Sequence, residues 1–107
     1  MIMINWLEKW FRDNCDGNWE HSNRVQIETL DNPGWNIEID FSDTELKIDD
    51  VRWRSYEISN ENWVGYSIKN NIFSSAGDPL KLNLMINIFK KIIEKDKLED
   101  EYIYSVM

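Results

Sequence analysis

Cys15, Asp16, Glu20 and His21 fall within a seven-residue run that holds the only cysteine and the only histidine of the 107-residue chain. These residue types can do chemistry. A thiol becomes a nucleophile when an imidazole lies within hydrogen-bond reach and a third group orients that base. Mixed sulfur, imidazole and carboxylate ligands can hold zinc, which takes four of them in a structural site and three in a catalytic one. The spacing meets neither requirement. No nucleophile motif surrounds Cys15, and the CxxC and HxxxH patterns are absent. A cysteine at a helix end behaves as a small apolar residue, and His21 reads as a hydrogen-bonded turn residue.

The other chemical patterns are also missing. The acids between Asp40 and Asp50 lack the twelfth-position glutamate of a calcium loop. Glycoside hydrolysis needs two carboxylates at a fixed separation. Among 20 acids chance pairs are unavoidable, so pairs alone carry no signal. The four glycines, at 17, 34, 65 and 77, form no phosphate-binding loop. The expectation is therefore a protein without catalytic residues, metal ligands or cofactor.

What the chain does carry is charge. The net charge is −8, which argues against nucleic-acid binding, whose usual footprint is a basic patch. Residues 31–61 hold nine acids against three bases, a local net of −6, while residues 62–107 balance at six against six. Such a concentration is either a solvated face or a surface matched to a basic partner. On the second reading Asp40, Asp43, Glu45, Asp49, Asp50 and Glu57 form the partner-facing surface, with Trp53 and Tyr56 as aromatic anchors beside them.

These residues must be positioned by a single domain, 1–107, because the length suits one modest core. Residues 2–15 read as an amphipathic helix, with Met3, Trp6, Leu7, Trp10 and Phe11 on one face and Glu8 paired with Arg12 on the other. Gly17 stops it. Residues 24–30 and 35–41 alternate as two strands of a hairpin, joined by a type II turn at Asn32-Pro33-Gly34-Trp35 in which glycine supplies a positive φ. Strands follow over 52–59 and 62–68, with strand character around 44–48, tight connections at Asn60-Glu61 and Asn70-Asn71, and a short apolar pair, Ile72 and Phe73. Ser74–Gly77 reads as a loop, and Asp78-Pro79 as the N-cap and first turn of a helix reaching Lys95. That helix carries apolar residues on more than one face, Leu84 and Ile88 included, so it is either sandwiched in the core or meets another chain. The tail, 96–107, is expected to be peripheral, as an edge strand or frayed. The fold class is α+β: an antiparallel meander sheet of about four to six strands with an N-terminal and a C-terminal helix packed on it.

One unpaired cysteine, no signal-peptide pattern and no apolar run of about 20 residues lead to the expectation of a cytoplasmic protein without a membrane partner. Oligomeric state is not legible.

The run Cys15-Asp16-Gly17-Asn18-Trp19-Glu20-His21-Ser22, followed by Ile27-Glu28-Thr29-Leu30-Asp31-Asn32-Pro33-Gly34-Trp35, resembles the immunity protein 53 family. The preceding Trp6-Leu7-Glu8-Lys9-Trp10-Phe11 helix, the Trp63 strand and a helix ending near Phe89 extend the resemblance over residues 4–93. Such families are encoded beside bacterial polymorphic toxins. The resemblance implies a cytoplasmic protein that binds and neutralises a cognate toxin domain, and many such domains are nucleases with basic clefts. It brings no set of binding residues with it. Two readings of other classes stand beside it: a small thiol enzyme using the Cys15–His21 region, and an acidic interaction module with no toxin partner.

Overall fold

The computed structural model describes residues 3–107, in the order α1 (Met3–Asn14), α2 (Trp19–Ser22), β1 (Val25–Leu30), β2 (Gly34–Asp40), β3 (Val51–Ser59), β4 (Asn62–Lys69), β5 (Ile72–Gly77), α3 (Leu82–Ile93) and α4 (Asp100–Ser105). The predicted helix start at Ile2 lies outside the described residues. All five strands pair antiparallel in one open sheet, in spatial order β1-β2-β5-β4-β3. The α+β expectation holds. Two hairpin-linked runs, β1-β2 and β3-β4-β5, join where β5 pairs with β2, so β3 lies at the far edge from β1.

Strand alternation sorts side chains between the two faces. Ile37 and Ile39 from β2, Phe73 and Ser75 from β5, and Val64, Tyr66 and Ile68 from β4 are buried on one face. The helices cover that face. Phe89 of α3 is fully buried and meets Phe41 (5.9 Å between ring centroids), Phe73 (5.2 Å) and Trp10 of α1 (5.1 Å). Leu84 and Ile88 are buried as well, so the second apolar stripe of α3 is satisfied within the chain. Arg12 turns to Asp13 (3.3 Å) rather than to Glu8, an exposed pair of little weight.

Several expectations are corrected. Ser74–Gly77 is not a loop but most of the central strand, β5. The segment 42–50 has no strand; its exposed acids alternate with half-buried Thr44, Leu46 and Ile48, and Leu46 and Ile48 pack against the core. The β1–β2 turn is not type II: the Asn32–Pro33 peptide is cis, and Gly34 has no positive φ. Gly34 is required instead by close approach, because a Cβ there would run into the Gly77 carbonyl oxygen of the neighbouring strand. The tail is a helix, with Ile103 of α4 fully buried against the core.

The two tight connections and Gly17 match expectation. Asn70 and Asn71 both take positive φ (52° and 61°), as a two-residue hairpin turn demands. Gly17, at φ 96°, follows the end of α1. Asp78 does not cap α3, which begins at Leu82. It closes the preceding turn, accepting from the Leu80 N–H (2.9 Å) and from the Trp63 N–H of β4 (2.8 Å).

Candidate functional site: the acidic strap and the open sheet face

The Cys15–His21 run is consumed by its own architecture. The Asp16 carboxylate accepts from the N–H groups of Asn18 (2.8 Å) and Trp19 (2.9 Å), and Glu20 returns to the N–H groups of Asp16 (3.0 Å) and Gly17 (2.9 Å). Asp16 satisfies donors at the start of α2, and Glu20 those of the turn that leads into it. Donation from Trp19, then Asn18, holds the Asp16 carboxyl below its ordinary range. Glu20 is lowered by its own backbone N–H first, then by those of Asp16 and Gly17. The Cys15 thiol donates to the Phe11 carbonyl (3.2 Å), and its pKa is pushed up by desolvation, then by Glu20 and Asp16. A nucleophilic thiol needs the opposite shift. Trp19 is buried, donating its indole N–H to the Ser42 carbonyl (3.1 Å) and stacking edge-on against Trp10. Among the described residues no group of three or more His, Cys, Asp or Glu is placed to hold a metal ion, and no helix is long and apolar enough to cross a membrane.

The acidic stretch is divided by the fold. Residues 41–50 form a strap along one end of the sheet. It runs from β2 past the β4–β5 turn, where the Phe41 N–H donates to the Asn71 carbonyl (2.9 Å) and Asp50 accepts from the Asn70 N–H (3.0 Å). Asp43, Glu45 and Asp49 point outward from this strap and are exposed. Asp43 takes φ 60°, a conformation aspartate tolerates better than most residues. Asp40 is half-buried and tied into the strap's root, accepting from the Ser42 N–H (3.0 Å), the Ser42 hydroxyl and the Asn23 amide (3.3 Å).

Trp53 and Glu57 lie elsewhere. Glu57 pairs with Trp63 of β4, and the Trp53 ring lies where a Gly65 Cβ would point, so both belong to the sheet face that faces away from the helices. Trp53 is 50 % exposed and lies over Gly65; a Cβ there would meet its ring within 2.7 Å at Cε2. The same face carries Glu28 of β1 and Glu38 of β2, both exposed, and half-buried Trp63 and Ile72. At its β1–β2 end, a cleft of about 340 Å³ opens between the sheet and α2, bounded by Glu20, Arg24, Gln26, Glu38, Asp40 and Ile72.

Tyr56 is on the opposite face and is 3 % exposed. It stacks on Tyr66 (6.5 Å), meets Tyr104 edge-on (5.3 Å), and donates its hydroxyl to Asp100 Oδ1 (2.7 Å), which pins α4 to β3. Burial first, then that hydrogen bond, pushes the Tyr56 pKa up. It therefore presents no anchor, and of the two aromatics expected at the surface only Trp53 is there. The structure thus places Asp43, Glu45, Asp49 and Asp50 on the strap, with Asp50 and Trp53 lining one shallow depression, sets Glu57 apart on the open face, and places Tyr56 inside. Glu28 and Glu38 were missed in the sequence. Their signal was the alternation of the first hairpin, which puts both on its polar face.

No curated protein and no solved structure matches this chain. The family model described as Immunity protein 53 matches residues 4–94, from the second residue of the described α1 to just past the end of α3 and so the whole sheet. A match over so much of the sequence shows the family: the chain belongs to the Immunity protein 53 family.

Proposed function

We propose that this immunity protein binds and neutralises a cognate bacterial toxin domain, a nuclease with a basic cleft, and that its acidic surface draws the two together. The observation that carries the reading is the family match over residues 4–94. The distribution of charge supports the electrostatic part. Among the described residues, Glu38, Asp43, Glu45, Asp49 and Glu57 are exposed and pair with no cation, so their field is available to a partner. An acidic surface facing a basic cleft raises the association rate and disfavours wrong partners. The protein acts in the cytoplasm by occupancy rather than by chemistry.

The test is co-expression with the C-terminal domain of the toxin encoded beside its gene, scored by rescue of growth and by co-purification. Rescue with a stable complex is expected. Reversing Asp43, Glu45 and Asp49 together to lysine should slow association and flatten its dependence on salt. Unchanged binding and unchanged salt dependence in that triple variant refute the part assigned to those three charges. Failure of the unmodified protein to rescue or co-purify refutes the function itself.

A further inference from the structure

We infer that the toxin docks on the open face of the sheet, with the Trp53–Gly65 platform as its apolar anchor and the Glu38/Asp40 cleft as a socket for a lysine or arginine side chain. The inference rests on the proposed function, and it names the surface that performs it.

The helices α1, α3 and α4 lie on one side of the sheet, because the buried residues of β2, β4 and β5 all belong to that face. Among the described residues the other face is bordered only by α2, at its β1–β2 end beside the cleft. Two features distinguish it from an ordinary solvated sheet. The first is Trp53. This tryptophan has a defined seat: the absent side chain of Gly65 leaves room for the indole, and a methyl group there would collide with it. A rigid, half-exposed aromatic loses little conformational freedom on binding, which is why tryptophan dominates interface hot spots.

The second feature is charge. Glu28, Glu38, Asp40 and Glu57 come from three different strands and reach this face from both edges, against two cations, Lys69 of β4 and Arg24 at the rim of the cleft. Glu38 has no partner among the described residues. Asp40 spends Oδ1 on Asn23 and Ser42, which leaves Oδ2 without a donor. A cationic side chain entering the cleft would meet both carboxylates, with Ile72 against its aliphatic stem, while Arg24, which pairs with neither carboxylate, stays at the rim. The partner this face fits is therefore a protein surface that is basic around a flat apolar centre. A nucleic acid is excluded by the sign of the charge.

The experiment titrates purified protein with the C-terminal domain of the adjacent toxin, measuring affinity and rates for Trp53→Ala, Ser55→Arg and the double variant Glu38→Arg/Glu57→Arg. Ser55 is exposed, sits opposite Gly65 beside Trp53, and makes no side-chain hydrogen bond among the described residues, so its variant blocks the platform without unpacking it. Melting curves confirm that each variant folds. Each should weaken binding on the order of tenfold or more, mainly through faster dissociation. The strap variant Asp43→Lys/Glu45→Lys/Asp49→Lys should slow association while leaving dissociation within about threefold of the unmodified rate. Open-face variants that bind as tightly as the unmodified protein overturn the inference while the function stands. Light scattering that shows a dimer of this chain, broken by Ser55→Arg, also overturns it, because a second copy then owns the face. An unmodified protein that neither binds nor protects overturns the function and the docking face together.

Discussion

Asp78→Asn tests how the end of the open face is locked to the helix layer. Asp78 is 1 % exposed and Lys81 6 % exposed. Oδ2 receives the Lys81 ammonium (2.9 Å) and the Trp63 N–H (2.8 Å), and Oδ1 receives the Leu80 N–H (2.9 Å). Every acceptor therefore faces a donor. Asparagine must turn an N–H toward one of them, and it leaves the Lys81 ammonium buried with no counter-charge. Breaking a buried pair from one side costs about 3–5 kcal/mol. A domain of this size has roughly 5–15 kcal/mol in total. At about 4–8 °C of melting temperature per kcal/mol, the transition should fall by roughly 12 °C or more. Thermal and urea melts measure it. Asp78→Asn/Lys81→Met removes both charges and should recover at least half of the loss, since an apolar replacement of a buried pair is often neutral. A fall of less than about 4 °C for the single variant refutes the reasoning, because no buried unpaired charge of that kind is so cheap.

The same residue sets a pH dependence. Burial raises the Asp78 pKa, but donation from Lys81, Leu80 and Trp63 more than reverses it, so the folded value lies below the ordinary one. A depressed carboxyl contributes stability that is fully present above its unfolded pKa of about 3.9 and disappears as pH falls through the folded value. The unmodified protein should lose stability steeply below that point. Asp78→Asn should show a shallower acid limb in melts taken across the same range.

Three further outcomes are expected. Ile103→Ala should cost about 2–5 kcal/mol in urea unfolding, because Ile103 is fully buried; a loss of a few tenths would mean that α4 frays. Gly34→Ala should be destabilising by more than the roughly 1 kcal/mol of an ordinary glycine effect, since its methyl group meets the Gly77 backbone rather than a movable side chain; a neutral melt would contradict that close approach. Cys15→Ser should leave the melting transition and protection intact, and alkylation of the unmodified thiol at neutral pH should be slower than that of a free cysteine; loss of protection would revive a chemical role for the thiol.

The clean periodicities were legible and the context-dependent elements were not. Trp35, Ile37 and Ile39 alternate with polar residues and form β2 on the expected face. Met3, Trp6, Leu7 and Trp10 recur at helical spacing and form the packed side of α1. β5 was hidden because Ser74, Ser75, Ala76 and Gly77 are small. Their size answers to the neighbours: a Cβ on Gly77 would meet Lys81 Cβ at 2.8 Å and Met85 Sδ at 3.0 Å, and the Ser75 hydroxyl donates to the Gly65 carbonyl (2.7 Å). A central strand that must admit a helix this closely cannot carry the branched residues by which strands are recognised. The tail misled in the opposite direction. Tyr102, Ile103 and Tyr104 look like a strand, yet Asp100 in the first turn of α4 is held by the Tyr56 hydroxyl 44 residues away, a contact no local pattern announces.

The candidate site shows the same limit for charge. A net of −6 over residues 31–61 suggests one acidic surface. Folding distributes those charges by strand parity and by the path of the strap, so Glu57 faces away from the helices while its neighbour Tyr56 is buried beneath α4. In exchange, Glu28 and Glu38 arrive on the Glu57 face from the first hairpin. A docking surface is a property of that face and of short-range contact. Steering is different in kind. Its range is the screening length, about 8–10 Å at physiological salt, so charges on the strap act on an approaching basic domain even where they touch nothing. On the function and docking face proposed above, the fold divides the acidic stretch between two jobs. The strap acids would set how often the partner arrives. The open-face acids, together with the seated Trp53, would set how long it stays.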